Sequence, residues 1–261
     1  MVNKKWVQIF AIWISVIVPY YARGQDATAS TDSGDDSRIT LGAKVGTSFN
    51  QFSQPGSFIG VNLGAFGKFK VTDFLDARLE LLYSTQGGGR SDYTRVYNDG
   101  SDGSTNGVTS ITNLNPYVTF NNFEIPLLVE LGLPEFKDMA IQPKLLLGGS
   151  YSMVMGAIEH KTQRYSFPNS PDANGNAVAP TIVDVGYIRE NVTDNYKRSQ
   201  WAVIAGIGVN YKLGKRTFMM DIRYRQGLTQ LNQVVYAVPG IGGKLYSSSL
   251  IFNFGMTLFN F

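Results

Sequence analysis

From Ile39 onward the chain alternates apolar and polar positions with a period of two. Ile39, Leu41, Ala43, Val45 and Phe49 fall on one side of an extended backbone, and Thr40, Gly42, Lys44, Gly46 and Ser48 on the other. Successive side chains of a strand point to opposite faces, so the pattern predicts a strand with one apolar face and one polar or small face. The same reading holds for Ile59–Phe69, Leu75–Tyr83, Phe123–Leu131, Met139–Met153, Trp201–Tyr211, Phe218–Tyr224 and Ser248–Phe261. Eight such strands of about 10 residues, tilted near 40°, would each rise roughly 25 Å, the height of an outer-membrane apolar band. In the last strand the apolar register runs on even positions from Leu250 to Leu258, yet the chain ends on Phe261. A bulge after Leu258 would reconcile the two. Pro126 lacks a backbone N–H, which predicts a bulge or distortion in the fourth strand.

Sandwiches and soluble barrels also alternate, so the connections decide. The links at Lys70–Asp73, Gly132–Asp138 and Leu213–Arg216 are short, whereas Ser84–Asn115 and Val154–Ser199 are long and rich in Gly, Asn, Ser and Asp. Short turns at one end and long loops at the other are the mark of an antiparallel up-and-down outer-membrane barrel. The aromatics agree. Phe49, Tyr83, Tyr117, Tyr151, Trp201 and Tyr224 mark the upper end of the apolar face. Phe69, Tyr211, Phe218 and Phe261 mark the lower end. Two such rings are expected at the membrane interfaces. The fold class is therefore all-β, an eight-stranded antiparallel transmembrane barrel with long extracellular loops. Within the Val154–Ser199 link, Val183, Val185 and Tyr187 alternate and predict a short hairpin standing above the membrane.

The polar face must then be the lumen. A charge in hydrocarbon costs roughly 2–4 kcal/mol for Arg or Lys at the midplane. Lys68, Asp76, Arg78, Glu80, Glu124, Glu130, Lys144, Asp221, Arg223 and Arg225 are accordingly assigned to the interior as an ion-pair network. An eight-stranded barrel is just wide enough for side chains to fill it.

Ahead of the barrel, Lys4 and Lys5 precede an apolar run from Trp6 to Val18, followed by Ala22-Arg23-Gly24. This is the pattern of a signal peptide over residues 1–24. Residues 25–37, polar and Asp-rich, read as a disordered leader, and residues 38–261 as the barrel. The formal charge of +3 resides in Lys4, Arg23 and Lys5, so residues 25–261 are neutral and carry no basic signal for nucleic acid. Charged residues are only 16% of the chain, well under the ~25% of soluble domains, as a lipid-facing surface requires.

The strands themselves carry a resemblance. Gly42-Ala43-Lys44-Val45-Gly46, Leu79-Glu80-Leu81-Leu82-Tyr83-Ser84 with Gln86-Gly87-Gly88, Phe123-Glu124-Ile125-Pro126-Leu127-Leu128, and Arg223-Tyr224 with Gly227-Leu228 resemble the PorT-type outer-membrane β-barrel family of Bacteroidota. The resemblance runs over residues 39–261, and the Glu-Ile-Pro-Leu-Leu element is its most specific part. It implies an eight-stranded outer-membrane barrel and, through the member that names the family, an association with protein secretion and maturation by the type IX pathway.

Chemistry beyond this is sparse. The chain has no Cys and one His, which excludes thiol nucleophiles, Cys-ligated metals and multi-His sites. His160 beside Glu159 is the candidate for hydrolase chemistry, with Asp92, Asp99, Asp102, Asp172 and Asp184 as scattered loop acids, but no triad spacing is readable. Asp99–Gly103 and Pro171–Asn176 hold oxygen ligands and glycines without calcium-loop spacing, and read as turns. Gln86–Arg90 lacks the Lys-Ser/Thr and the helix of a phosphate loop. The expectation is a monomeric, non-enzymatic barrel without cofactors, in contact with outer-membrane lipid and with envelope or secretion proteins. A narrow ion or solute channel is the alternative, and a surface lipid- or peptide-modifying enzyme the third.

Overall fold

The computed structural model describes residues 38–96, 110–136, 139–167, 174, 178–213, 216–232 and 244–261. The expected signal segment and leader lie outside these residues, as do Asp99–Gly103 and most of Pro171–Asn176. Among the described residues ten strands are formed: β1 (Ile39–Phe52), β2 (Ser57–Lys70), β3 (Leu75–Gly89), β4 (Tyr93–Val96), β5 (Ser110–Gly132), β6 (Ile141–Phe167), β7 (Thr181–Asn191), β8 (Ser199–Leu213), β9 (Arg216–Gly227) and β10 (Ser247–Asn260). Eight of them close a ring in the order β5-β3-β2-β1-β10-β9-β8-β6, with β6 returning to β5. Every neighbouring pair is antiparallel. Closure leaves the ring no unpaired edge, the condition for a sheet to cross a bilayer.

The period-two sequence pattern is the reason these strands form a ring of this kind. Val45, Leu63, Leu81, Leu127, Leu147, Val203, Met220 and Phe254 are all exposed on the outside. Their polar neighbours are buried inside, where Arg223, Arg225, Glu80 and Glu130 rank among the most enclosed side chains. The bulky inward groups lean over inward glycines of the adjacent strand. Gly42 pairs with Phe66, Gly64 with Leu82, Gly148 with Leu128 and Gly206 with Arg223. A Cβ at any of these glycines would meet its partner or the adjacent carbonyl within 2.5 Å.

β10 carries the expected irregularity. Leu41 pairs with Phe259 and Gly42 with Thr257, so Leu258 is the extra residue. Leu258 and Phe259 therefore both face out. Pro126 differs from expectation. Its register with β6 is continuous, and pairing to β3 resumes on both sides in the same register, from Leu79↔Leu127 to Leu82↔Glu124. The missing N–H lets the ladder toward β3 lapse locally without a bulge. The bulge falls instead at Asn121/Asn122.

β5 and β6 run well past the ring. There they pair with each other up to Ser110↔Ser166, while β4 joins β5 and β7 joins β6. This four-stranded extension contains the hairpin that Val183, Val185 and Tyr187 predicted. Between ring and extension β5 turns at Asn115-Pro116. Asn115 takes a left-handed φ of 47° and its N–H donates to Asp92 at 2.6 Å. At the mouth of the ring Phe52, Val118, Phe120, Val154, Ala157, Val192, Tyr196, Leu231 and Leu245 form a buried apolar cluster. Four of these, Val192, Tyr196, Leu231 and Leu245, come from connections rather than ring strands, so the connecting chain folds inward over the lumen.

Candidate functional site

The lumen is built from inward positions of all eight ring strands, and its charges fall into three tiers. Nearest the short turns, Lys68 lies 3.6 Å from Asp76 and 3.7 Å from Glu130, and Lys144 lies 3.3 Å from Asp76. In the middle tier, Glu80 takes a bidentate pair from Arg223 at 2.8 and 2.9 Å and a further bond from the Lys44 ammonium at 2.9 Å. Arg78 sits within 3.0 Å of Glu80, 2.6 Å of Glu130 and 3.1 Å of Asp221. Arg223 also donates to Asp221 at 2.7 Å. Higher still, Arg225 donates to Glu124 at 3.1 Å, Gln86 at 3.0 Å and Ser152 at 3.2 Å. Six cations thus face five carboxylates. A cavity of about 20 Å³ between Asn50, Asn62, Glu124 and Arg223 has room for about one water.

All ten charges assigned to the interior by alternation lie there. Lys44 belongs with them, and its even position in the first strand was the signal for it. Removal of such ions from water is affordable only because each meets opposite charge within 4 Å; Glu130 is held by the charges of Lys68 and Arg78 alone, without a well-formed hydrogen bond.

Of the aromatics assigned to the interfaces, Phe49, Phe69, Tyr83, Trp201, Tyr211, Tyr224 and Phe261 are exposed on the outside, and Tyr151 and Phe218 are half-buried. Tyr151 and Trp201 pack with ring centroids 4.9 Å apart. Tyr117 is set apart from these. It lies at the top of the ring, where β5 still pairs with Gly89 of β3, stacked on His160 at 4.4 Å with rings 2° from parallel.

His160 and Glu159 point to opposite faces of β6. His160 Nδ1 shares a hydrogen bond with the Tyr187 hydroxyl on the outer face. Burial and the neighbouring Arg189 guanidinium hold the His160 pKa below its ordinary value. Glu159 is buried on the inner face, where it accepts from Tyr93 at 3.0 Å, Arg90 at 3.1 Å and Lys161 at 2.9 Å. Burial opposes the Lys161 charge, but Glu190 at 2.6 Å and Glu159 outweigh it and keep the ammonium protonated. The Tyr196 hydroxyl, which accepts from Arg90, is pushed up to about 12 by burial. Glu159 and His160 are therefore not a catalytic pair. Of the loop acids, Asp184 pairs with Arg164 at the surface and Asp92 holds Asn115. Asp99, Asp102 and Asp172 lie outside the described residues. Among the described residues no group of three or more His, Cys, Asp or Glu side chains could hold a metal ion.

The family model described as "Outer membrane protein beta-barrel domain" matches residues 24–233 of the 261-residue chain. The chain belongs to this family. No curated protein matches it at a significant level. Among solved structures it is similar to neisserial surface protein A, with 12% identity, a TM-score of 0.41, and 85% of this chain and 98% of that one covered. It is similar also to Ail, the attachment invasion locus protein of Yersinia pestis (9%, TM-score 0.36, 85% and 99%). A third is the outer membrane protease OmpT of Escherichia coli (10%, TM-score 0.41, 90% and 100%).

This outer membrane β-barrel protein resides in the outer membrane, and its ring carries an exposed apolar band. The short turns of such barrels face the periplasm and the long connections the outside. The Arg90–Tyr93–Glu159–Lys161 cluster was not foreseen from the sequence. Its signal was present, since Glu159 and Lys161 flank His160 with period two inside what reads as a loop.

Proposed function

We propose that the ring is a closed scaffold and that the extension is its working surface. The single observation that carries this reading is the occupation of the lumen. Three tiers of ion pairs fill it, the apolar cluster around Phe52 and Phe120 covers its outer mouth, and the inner cavity is water-sized. Solute flux would require breaking buried pairs, each break costing about 3–5 kcal/mol. A liposome-swelling assay tests the reading: proteoliposomes in an isotonic small sugar or amino acid should swell no faster than protein-free ones. Swelling that scales with protein would make the barrel a pore.

The protein works without catalysis, as a structural or interaction component of the envelope. The separation of His160 from Glu159 supports this. The PorT-type elements, Phe123–Leu128 above all, support an accessory part in protein secretion or envelope assembly in Bacteroidota. Replacement of the β6–β7 hairpin by a tight turn should leave the barrel folded and abolish co-purification of its envelope partners from detergent-solubilised membranes. Undiminished co-purification would place the working surface elsewhere.

A further inference from the structure

The outer face where the ring meets the extension carries a group of side chains that neither the closed lumen nor the fold requires. His160 stacks on Tyr117, and the Tyr187 hydroxyl bridges them, bonding His160 Nδ1 and lying 3.4 Å from the Tyr117 hydroxyl. Arg189 pairs across the strands with His160, is exposed, and makes no ion pair among the described residues. The other charges of the region are accounted for. Glu190 and Lys161 bond each other at the inner face, Arg164 and Asp184 pair further out, and Asp194 holds Arg198 at the foot of the extension. Lys197 stands exposed at that foot. The group thus offers free cations, one imidazole and two phenol hydroxyls, with no free carboxylate beside them among the described residues.

Its position suggests the occupant. Below it on β6 lie Met153 and Met155, both exposed, and Tyr151 packed on Trp201. These belong to the exposed apolar band. His160 follows Met155 by five residues, about 10 Å further out for a bulged, tilted strand. Long cationic side chains at such a boundary reach to the headgroups. The face is continuous with the apolar band and has the charge to match an anionic head. We propose that Arg189, His160, Tyr117 and Tyr187 form a binding site for the phosphorylated sugar head of an outer-leaflet glycolipid. Arg189 and His160 take the phosphate, since a guanidinium and an imidazolium are both donors suited to its oxygens. The flat Tyr117–His160 stack offers an aromatic face to the adjoining sugar ring.

The lone histidine makes the test direct. The full-length protein, free of any histidine tag and folded in neutral detergent micelles, gives one imidazole signal to titrate by NMR. Its neighbouring charged or titratable groups are Arg189, Tyr117 and Tyr187 on the same face; Glu159, Lys161 and Glu190 lie on the other. Adding a diphosphorylated glycolipid should raise the His160 midpoint by about one pH unit, because a phosphate stabilises the imidazolium. The same lipid without phosphates should leave it unchanged, and so should inorganic phosphate at equal concentration. In R189Q the lipid-induced rise should vanish, while R164Q, further out on the same face, should keep it. Equal shifts from phosphorylated and dephosphorylated lipid, a shift from inorganic phosphate alone, or a full shift retained in R189Q would each overturn the proposal. Folding of both variants is checked by gel mobility with and without boiling, so a null result cannot come from an unfolded protein.

Discussion

Glu80 is fully buried and faces three cations at once, accepting from Lys44 and Arg223 and lying 3.0 Å from the Arg78 guanidinium, and these come from three separate strands. Glu80→Gln keeps its shape and removes its charge, leaving those cations facing one another. Loss of about 3–5 kcal/mol of stability is expected, measured by denaturant unfolding in micelles with tryptophan fluorescence as the probe. Arg164→Gln removes a solvent-exposed pair with Asp184 and should leave stability essentially unchanged. Equal effects of the two substitutions would mean that the interior is hydrated. His160 adds a pH dependence. Its pKa is lowered in the folded chain, so its neutral form belongs to the native stack. That contribution is complete above the ordinary histidine value of 6.5 and is lost as the pH falls through the lower folded value. Protection factors of β7 amides, taken relative to intrinsic exchange at each pH, should therefore fall in acid, an effect absent from His160→Phe. At this scale the direction of each charged side chain was legible, because alternation alone decides which face it takes. The partner of each charge was not. Arg223 meets Glu80 only when the ring closes and brings β9 across the lumen from β3.

The glycines opposite bulky inward groups set how closely the strands of the ring can be filled. A Cβ on Gly64 would stand 2.0 Å from the Leu81 carbonyl oxygen and 2.9 Å from Leu82. At Gly148 it would stand 2.1 Å from the Leu127 carbonyl and 2.9 Å from Leu128. Gly64→Ala and Gly148→Ala should each destabilise the barrel by about 1–3 kcal/mol, the usual effect of overpacking. Gly156→Ala meets nothing within 4 Å and should be close to neutral. A thermal unfolding series of the three separates packing from backbone effects. The eight ring strands were readable from period two, and so was the extra residue at Leu258. The upper halves of β5 and β6 were not, for a physical reason. Opposite Asn121/Asn122, Met155 is an extra residue that moves the outward positions of β6 from odd Met153 to even His160, and the turn at Asn115-Pro116 interrupts the alternation of β5. A period broken twice reads as a loop. Pro126, by contrast, signalled a bulge that the chain avoids by leaving only two pairings to β3 unmade.

The whole molecule combines an apolar outer band, a charge-paired interior and an extension held by its own buried polar cluster. The outer band and the polar lumen were legible from where charge and aromatic residues fall along the sequence. The closure of the outer mouth was not, since Val192, Tyr196, Leu231 and Leu245 belong to connections whose course no periodicity records. A barrel closed in this way should resist unfolding by dodecyl sulfate at room temperature and migrate faster unboiled than boiled. Identical mobility would contradict the ring itself. The central claim is that the lumen is shut, and single-channel recording in a planar bilayer tests it most directly. The native barrel should give no steady unitary current. Glu80→Ser combined with Arg223→Ser and Arg225→Ser, which removes side chains from two of the three tiers, should give measurable steps if it remains folded by gel mobility. Reproducible, ohmic unitary steps from the native protein would contradict the account.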